Sequence, residues 1–157
     1  MIRSANPTDA DRLLAIRRDA IMALAEEYGR VAAERWASAA HPDRAAKAIA
    51  INSVSVAGLG SKAVGWVEVG GATIESLYVS PAAARLGVGS SLLTHAEREI
   101  RDAGASIAYL DASPNAEAFY VRRGYRQVGE VKSNNSIPMS KRLEPQSRLT
   151  SRLSGPA

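Results

Sequence analysis

The 157-residue chain has no cysteine, which excludes disulfides, thiolate nucleophiles and metal sites that use cysteine ligands. No apolar run approaches the roughly 20 residues that span a membrane, and residues 1–14 lack the apolar stretch and cleavage site of a secretory signal. The two histidines and the acidic residues show no metal-ligand spacing. We therefore expect a soluble, cytoplasmic protein with no membrane partner and no metal.

Aromatic residues and long basic runs are also scarce, which bears on nucleic-acid binding. Aromatics make up 5% of the chain, and the formal net charge is +4. Four basic residues and one acidic residue between positions 141 and 157 account for +3 of that charge, so the first 140 residues are nearly neutral. A nucleic-acid surface needs clustered positive charge and, for single strands, stacking aromatics. We therefore do not expect nucleic acid as the main partner.

The rest of the composition is typical of one globular domain. Apolar residues make up 46% and charged residues 23% of the chain, and its length suits a single hydrophobic core. We expect one domain over residues 1–143. The remaining "EPQSRLTSRLSGPA" is polar, which predicts a disordered tail over residues 144–157.

The hydrophobic period divides the chain into a helical first part and a mixed second part. "NPTDADRLLAIRRDAIMALAEEYG" predicts one amphipathic helix, capped by Thr8 or Asp9 and ended by Gly29, and two shorter helical stretches follow. "SVSVAGL", "KAVGWVEV" and "TIESLYVS" then predict three antiparallel strands joined by hairpins. A helix over "GSSLLTHAEREIRDAG", a strand, a short helix and two strands over "YRQVGEV" and "SIPMSKRL" complete a mixed α/β fold.

The segment "RLGVGSSLL", residues 85–93, joins the third of these strands to the longest helix. It lacks the lysine of a Walker A loop and the third glycine of a dinucleotide fingerprint. Two interpretations stay open from the residues alone. The glycines and the first helix amides could bind a phosphate group, or the glycines could serve only a tight turn.

Three blocks, "VGWVEV", "IESLYVSPAAARLGVGSSLL" and "LDASPNAEAFYVRRGYRQVG", together resemble the GNAT superfamily of acyl-CoA-dependent N-acetyltransferases over about residues 62–130. The resemblance implies a mixed, mostly antiparallel central sheet flanked by helices and splayed at the acyl-CoA slot. It further implies transfer of the acetyl group of acetyl-CoA to a primary amine by direct attack in a ternary complex. The alternative is a non-catalytic acyl-CoA-binding regulatory or interaction module of the same fold.

The resemblance also implies which residues bind the cofactor. The family's pyrophosphate signature, Gln/Arg-x-x-Gly-x-Gly/Ala, fits the two glycines of the loop but has Ala84 at its first position, with the arginine one place later. The strand before the loop is expected to pair with the pantetheine arm through its backbone. The implied cofactor-binding residues are Leu77, Tyr78, Val79, Arg85, Leu86, Gly87, Val88, Gly89, Ser90, Ser91, Asn115 and Tyr120.

The segment "NAEAFY" matches the part of the family that carries acid catalysis. A thiolate leaving group is helped by a proton from a nearby hydroxyl, so Tyr120 is the candidate acid and Asn115 a cofactor contact, while Phe119 and Tyr125 are interpreted as core residues. The protonated amine must also lose a proton, and Glu75 is the first candidate base.

Other bases and the acceptor are less specified by the residues. Glu68, on the neighbouring strand, is the second candidate base; His95 is interpreted as part of a solvated helix face and His41 as a helix-boundary residue. The expected partners are acetyl-CoA and an unidentified amine acceptor, framed by Tyr28, Trp36 and the loops near Glu68. A homodimer stays open.

Overall fold

The computed structural model describes residues 1–145. The tail predicted for residues 144–157 therefore lies, beyond Pro145, outside the described residues. The helices are α1 (Ala10–Met22), α2 (Ala25–Tyr28), α3 (Arg30–Ser38), α4 (Arg44–Ile51), α5 (Val88–Asp102) and α6 (Glu117–Val121). The strands are β1 (Ile2–Ser4), β2 (Ser53–Leu59), β3 (Lys62–Gly70), β4 (Thr73–Val79), β5 (Ile107–Ala112), β6 (Arg126–Gln127) and β7 (Ile137–Arg142).

The strands form one seven-stranded sheet in the order β1-β2-β3-β4-β5-β7-β6. Pairs β1–β2, β2–β3, β5–β7 and β6–β7 are antiparallel, whereas β4 and β5 run parallel. The β4–β5 register covers only two pairs, Thr73 with Tyr109 and Ile74 with Leu110. The expected mixed, mostly antiparallel sheet flanked by helices is confirmed. The first expected hairpin is formed by β2 and β3, and β4 lies beside β3 in the sheet.

The chain divides into two compact units. The first contains Met1–Gly70 and Ser76–His95, and the second contains Gly71–Glu75 and the chain from Ala96 onward. Strand β4 and helix α5 therefore each contribute residues to both units. The single domain expected over residues 1–143 stays a proposal.

The core of the first unit is built on the apolar face of α1. Leu13 and Ile16 are fully buried and pack with α4, β2 and Trp66 of β3, as the helical period predicted. The Trp66 indole N–H donates to the Leu13 carbonyl at 3.0 Å. This bond satisfies the one polar group of the largest buried side chain, so Trp66 can lie in the core at little cost.

The first helical segment differs from its prediction at both ends. A short 3₁₀ turn, Pro7–Asp9, precedes α1, and Asn6 caps that turn: its side chain accepts from Thr8 N–H, while Asp9 accepts from Asn6 N–H. Asp9 therefore occupies the N-cap position of α1, as one of the two predicted caps, but its side chain makes no capping bond to α1 and bonds to Asn6 instead. The side-chain cap of the segment is Asn6, because Pro7 starts the preceding turn. The helix also ends at Met22, and Gly29, at φ 85°, ends the separate four-residue α2.

The core of the second unit lies between α5, α6 and the strands β5 and β7. Its members alternate along each strand and recur along α5 at helical spacing: Ala96, Ile100, Ala108, Leu110, Ala112, Tyr120, Tyr125, Ile137 and Met139 are buried.

Strand β6 is much shorter than the segment "YRQVGEV" that was expected to form it. It pairs with β7 only at Arg126 and Gln127. Pro138 of β7 has no N–H to donate to the ladder, and Val128 N–H donates to its carbonyl as the last contact before the chain leaves the sheet. The ladder between β6 and β7 therefore ends at the Gln127–Met139 pair, next to Pro138.

Candidate functional site

The glycine loop follows β4 and leads directly into α5. Arg85 and Gly87 both have positive φ, 66° and 78°, and a Cβ placed on Gly87 would meet nothing within 4 Å. Gly87 is therefore needed for its backbone conformation and leaves open space beside the start of α5. Ser91 N–H donates to the Gly87 carbonyl at 3.0 Å, so the Ser91 amide already belongs to the first turn of the helix.

The base of this loop is held by a close approach of backbone to helix. A Cβ on Gly65 of β3 would lie 3.0 Å from side-chain atoms of Val88 and Leu92 and 3.1 Å from the Tyr78 carbonyl. Ser80 N–H donates to the Val64 carbonyl at 2.7 Å. The first turn of α5 is thus packed so closely against β3 and β4 that a larger residue at position 65 would have to displace its neighbours.

Strand β4 presents its residues alternately to two faces, as its pleat predicted. Ser76 is buried, and the Tyr78 ring packs on Trp66 at 5.4 Å between centroids with the Arg17 guanidinium 5.9 Å away. Leu77 and Val79 are half-buried, and Glu75 is exposed. The Glu75 carboxylate has no hydrogen bond or ion pair with any residue among the described 145.

Tyr120 lies on α6 in the second unit and is 8% exposed. Its ring makes edge contacts with Phe119 at 5.1 Å and Tyr125 at 5.7 Å. Asn115, in the 3₁₀ turn before α6, is exposed. Phe119 is only half-buried, because one of its faces is covered by the Arg123 guanidinium at 3.7 Å instead of by core residues; the core interpretation holds for Tyr125 and not fully for Phe119.

A buried polar group that the sequence reasoning missed lies beside Tyr125. The hydroxyl of Tyr125 donates to the Glu97 carboxylate at 2.8 Å, and Lys141 Nζ lies 3.1 Å from the same carboxylate. Burial, together with the negative charge of Glu97 and the hydrogen bond to it, raises the pKa of Tyr125 well above its usual value. Helical spacing carried a signal for this group: Glu97 lies four residues after Leu93 and three before Ile100, both on the apolar face of α5.

Glu68, the second candidate base, is fully engaged by neighbours. Arg44 Nη2 donates to Oε1 at 2.7 Å, Ser76 Oγ donates to Oε1 at 3.0 Å, and Asn52 Nδ2 donates to Oε2 at 2.7 Å. Burial alone would raise the pKa of Glu68, but the hydrogen bonds from Arg44, Asn52 and Ser76 outweigh it and lower the pKa. A low pKa and two engaged oxygens make Glu68 a structural carboxylate and a poor proton acceptor.

His95 does not belong to a solvated face. It is half-buried on α5, and its Nε2 lies 3.0 Å from the hydroxyl of the buried Ser55 on β2. The strand residue that contacts it is 40 positions away in sequence, which is why the polar neighbours of His95 along α5 suggested exposure. His41 is exposed and lies 2.5 Å from Asp43 at the start of α4, as expected of a helix-boundary residue.

The residues expected to frame the acceptor lie on the first helices. The rings of Tyr28 and Trp36 meet edge to face at 6.4 Å. Arg17 of α1 donates to the carbonyls of Trp36 and Ala37, which ties α1 to the end of α3.

Residues 1–145 contain no group of three or more histidine, aspartate or glutamate side chains that could hold a metal ion. No helix in the same range is long and apolar enough to cross a membrane. A cavity of about 500 Å³ lies at the start of β5 and the end of β7, lined by Ser106, Ile107, Arg142, Leu143, Glu144 and Pro145. None of the expected site residues lines it.

Comparison with known proteins identifies the fold. A family model described as an acetyltransferase (GNAT) domain matches residues 24–143. A crystal structure described as a GCN5-related N-acetyltransferase, "Aminotransferase, Class-II", from Rhodopseudomonas palustris superposes with a TM-score of 0.83 at 30% identity, covering 91% of this chain and 95% of that one. No curated protein sequence matches this chain.

Two more distant structures contain coenzyme A. PaiA N-acetyltransferase from Thermoplasma acidophilum, in complex with coenzyme A, has a TM-score of 0.72 at 19% identity, with 90% of this chain and 98% of that chain covered. An aminoglycoside 6'-N-acetyltransferase complexed with coenzyme A has a TM-score of 0.67 at 20% identity, with 93% and 98% covered. At these identities the two likenesses concern the fold.

Proposed function

Because the chain belongs to the GNAT acetyltransferase family, we propose that it transfers the acetyl group of acetyl-CoA to a primary amine by direct attack in a ternary complex. The observation that carries the proposal is the loop before α5, where Gly87 at φ 78° leaves open space beside the first helix amides. A helix start stripped of side chains binds an anion through backbone N–H groups and the helix dipole. The pyrophosphate of acetyl-CoA is such an anion.

The loop then supplies contacts along its whole length. Residues Arg85 to Ser90 bind the pyrophosphate mainly through their backbone, and Arg85, exposed at φ 66°, adds positive charge one place after the family's usual position. Since the Ser91 amide is already bonded to Gly87, Ser91 contributes through its side chain. The backbone of Leu77, Tyr78 and Val79 pairs with the pantetheine arm in the manner of an added strand. The ladder between β4 and β5 does not extend to these three residues, because on β4 it pairs only Thr73 and Ile74.

For the chemical step, the amine nitrogen attacks the thioester carbon, the C–S bond breaks and the CoA thiolate takes up a proton. Tyr120 donates that proton, and Asn115 contacts the cofactor. The proton lost by the amine passes to Glu75, directly or through water. Glu75 is preferred to Glu68 because its carboxylate is exposed and unengaged by the described residues, whereas both oxygens of Glu68 accept hydrogen bonds.

Two observations favour the alternative, a non-catalytic acyl-CoA-binding module. Ala84 stands where the family signature has Gln or Arg, and Tyr120 is only 8% exposed. A module of this kind binds acetyl-CoA but does not turn it over with any amine.

The proposal is tested by placing a charge in the loop. Asparagine and aspartate both tolerate positive φ, so Gly87→Asn keeps the backbone while Gly87→Asp adds a negative charge where the pyrophosphate is expected. We expect acetyl-CoA to bind Gly87→Asp about tenfold or more weakly than Gly87→Asn, as measured by calorimetric titration. Gly104→Asp is the matched control, because Gly104 also has positive φ and open space but ends α5.

The outcomes separate the alternatives. Equal acetyl-CoA affinity in all three variants would show that the loop is only a turn. No rise of the wild-type melting temperature at millimolar acetyl-CoA would contradict cofactor binding itself, since a ligand of the native state must stabilise it. Binding without thiol release across an amine panel would establish the non-catalytic module.

A further inference from the structure

Helix α4 is tied at both of its ends to the buried carboxylate of Glu68. Arg44, its first residue, and Asn52, the residue after its last, each donate to one oxygen of that carboxylate at 2.7 Å. Ser76 of β4 donates to Glu68 and also accepts from Arg44 at 3.2 Å. The position of the Arg44 guanidinium is therefore fixed by partners on β3 and β4.

The guanidinium is not used up by these contacts. Both of its bonds come from Nη2, while Nε and Nη1, which carry three of the five N–H donors of an arginine, have no partner among residues 1–145. The side chain of Arg44 is 38% exposed, against 3% for Glu68. A buried carboxylate thus holds the guanidinium through Nη2, while the N–H groups of Nε and Nη1 stay available on a side chain that is partly exposed.

The carboxylate of the residue next to Arg44 in the sequence is already engaged by other partners. Asp43, which precedes Arg44, is paired with Lys47 at 3.1 Å and with His41 at 2.5 Å. Asn52 and Ser76 also donate hydrogen bonds to Glu68, so its negative charge is stabilised by three residues and not by Arg44 alone. Part of the positive charge of Arg44 therefore stays available to a further ligand.

The position of Arg44 in the fold indicates what its unused N–H donors can bind. It contacts Ser76, the residue directly before Leu77 on β4, and Leu77 begins the segment proposed to bind the pantetheine arm. Since a strand advances about 3.3 Å per residue, Arg44 lies within a few ångströms of the strand that would carry the thioester arm. A guanidinium that is fixed in place and still has unused N–H donors can donate to an oxygen of a carboxylate or a phosphate.

We propose that Arg44 binds an oxyanion, a carboxylate or a phosphate, carried by the amine that accepts the acetyl group. The inference rests on the proposed function and narrows its substrate class to amines that also bear an anionic group. Glu68, Asn52 and Ser76 act as positioning residues for Arg44.

The test compares amines that differ only in the anionic group: 4-aminobutyrate with butylamine, L-methionine with L-methioninamide, and O-phosphoethanolamine with ethanolamine. Thiol release from acetyl-CoA gives kcat/KM for each member. We expect the anionic member of at least one pair to be favoured about tenfold to a hundredfold. The carboxylate pairs and the phosphate pair distinguish the two sources of the oxyanion.

Arg44 variants then show which residue causes the preference. Arg44→Gln is expected to raise the KM of the anionic amine, so that the kcat/KM values of the anionic and the neutral member become nearly equal, with the acetyl-CoA KM unchanged. Arg44→Lys is expected to retain part of the preference, because lysine keeps the positive charge but not the planar guanidinium. Arg18→Gln is the matched control, because Arg18 is an exposed arginine of α1 outside this cluster. It is expected to behave as the wild type.

A binding measurement makes the result independent of turnover. The same pairs are titrated by calorimetry into the protein with and without saturating CoA. Preferential, Arg44-dependent binding of an anionic member supports the inference even where no acetyl transfer occurs, and in that case the proposed function alone fails. Equal binding of both members of every pair, a preference that survives Arg44→Gln, or binding of neither member overturns the inference while leaving acetyl-CoA binding intact.

Discussion

The hydroxyl of Tyr125 donates a 2.8 Å hydrogen bond to the carboxylate of Glu97, and both residues are more than nine-tenths buried. Lys141 reaches the same carboxylate from β7 at 3.1 Å. The core of the second unit thus contains one cluster of three polar residues, Tyr125 after α6, Glu97 on α5 and Lys141 on β7. Such a group is stable only while every member keeps its partner.

Tyr125→Phe is expected to destabilise the protein by about 1.5–3 kcal/mol. It removes a hydrogen bond to a buried charged group and leaves Glu97 with Lys141 alone. Urea unfolding at pH 7 measures the change, and Tyr109→Phe is the control because Tyr109 is 44% exposed. A loss as small as that of the control would show that Glu97 does not depend on the tyrosine.

The same pair predicts a dependence on alkaline pH. The pKa of Tyr125 is raised in the folded protein by burial and by the charge of Glu97, so its contribution to stability is complete below the unfolded value of about 10. Above that pH the unfolded chain releases the proton and the folded one does not, so stability falls as pH rises. The stability difference between wild type and Tyr125→Phe should therefore shrink above about pH 10, as measured by unfolding at pH 9, 10 and 11. A difference that stays constant over this range would contradict the shift.

Local patterns predicted the elements well, and long-range polar groups poorly. Strand β2 matches its predicted segment residue for residue, because alternating apolar residues end at the Gly60 turn. Glu68 was interpreted as a spare base, since its partners Arg44 and Asn52 come 24 and 16 positions earlier. No spacing rule connects residues that far apart before the topology is known.

The candidate site shows the same division. The turn at Gly87 and the pleat of β4 follow from local chemistry and were anticipated. The contact of His95 with Ser55 was not anticipated from the sequence, because it depends on how α5 lies on β2. Short β6 was also unforeseen, because its end is set by Pro138 on the partner strand.

Glu68→Gln is expected to cost about 1–3 kcal/mol at pH 7. The amide has one acceptor oxygen where the carboxylate has two, so a donor from Arg44, Ser76 or Asn52 loses its partner. Because the pKa of Glu68 is lowered on folding, its contribution is present above the unfolded value of about 4.3 and is lost as pH falls through the folded value. The gap between wild type and variant should therefore be widest above about pH 5, and it should shrink progressively as the pH falls below about 4.3 toward the lower pKa of the folded protein.

Urea unfolding at several pH values from pH 7 down to about pH 3, below the unfolded value of Glu68, tests this prediction. Glu75→Gln is the control, since Glu75 is exposed on the neighbouring strand and should change stability little. A gap that did not vary with pH would mean that the charge of Glu68 is not what holds Arg44 and Asn52.

Gly65→Ala is expected to destabilise the first unit, whereas Gly58→Ala on the adjacent strand β2 should not. The added methyl at position 65 meets Val88 and Leu92 at 3.0 Å and the Tyr78 carbonyl at 3.1 Å, while at position 58 its nearest neighbour is at an ordinary 3.5 Å. Overpacking of this kind costs about 1–3 kcal/mol. Both variants restrict the unfolded chain alike, so the difference between their unfolding free energies reports the packing of α5 on β3. Equal stabilities would show that α5 can shift outward at no cost.

Tyr120→Phe is expected to lower kcat for acetyl transfer about tenfold to a thousandfold with little change in acetyl-CoA affinity, within the range of acid catalysis. The ring can stay in place, because its edge contacts with the rings of Phe119 and Tyr125 are also available to phenylalanine. Thiol release gives the rate, calorimetry the affinity, and Tyr109→Phe the control for loss of a hydroxyl at an exposed position. A parallel fall in affinity and melting temperature would assign Tyr120 a packing role. An unchanged kcat with intact binding would transfer the acid role to another group or to water, because the CoA thiolate must still be protonated.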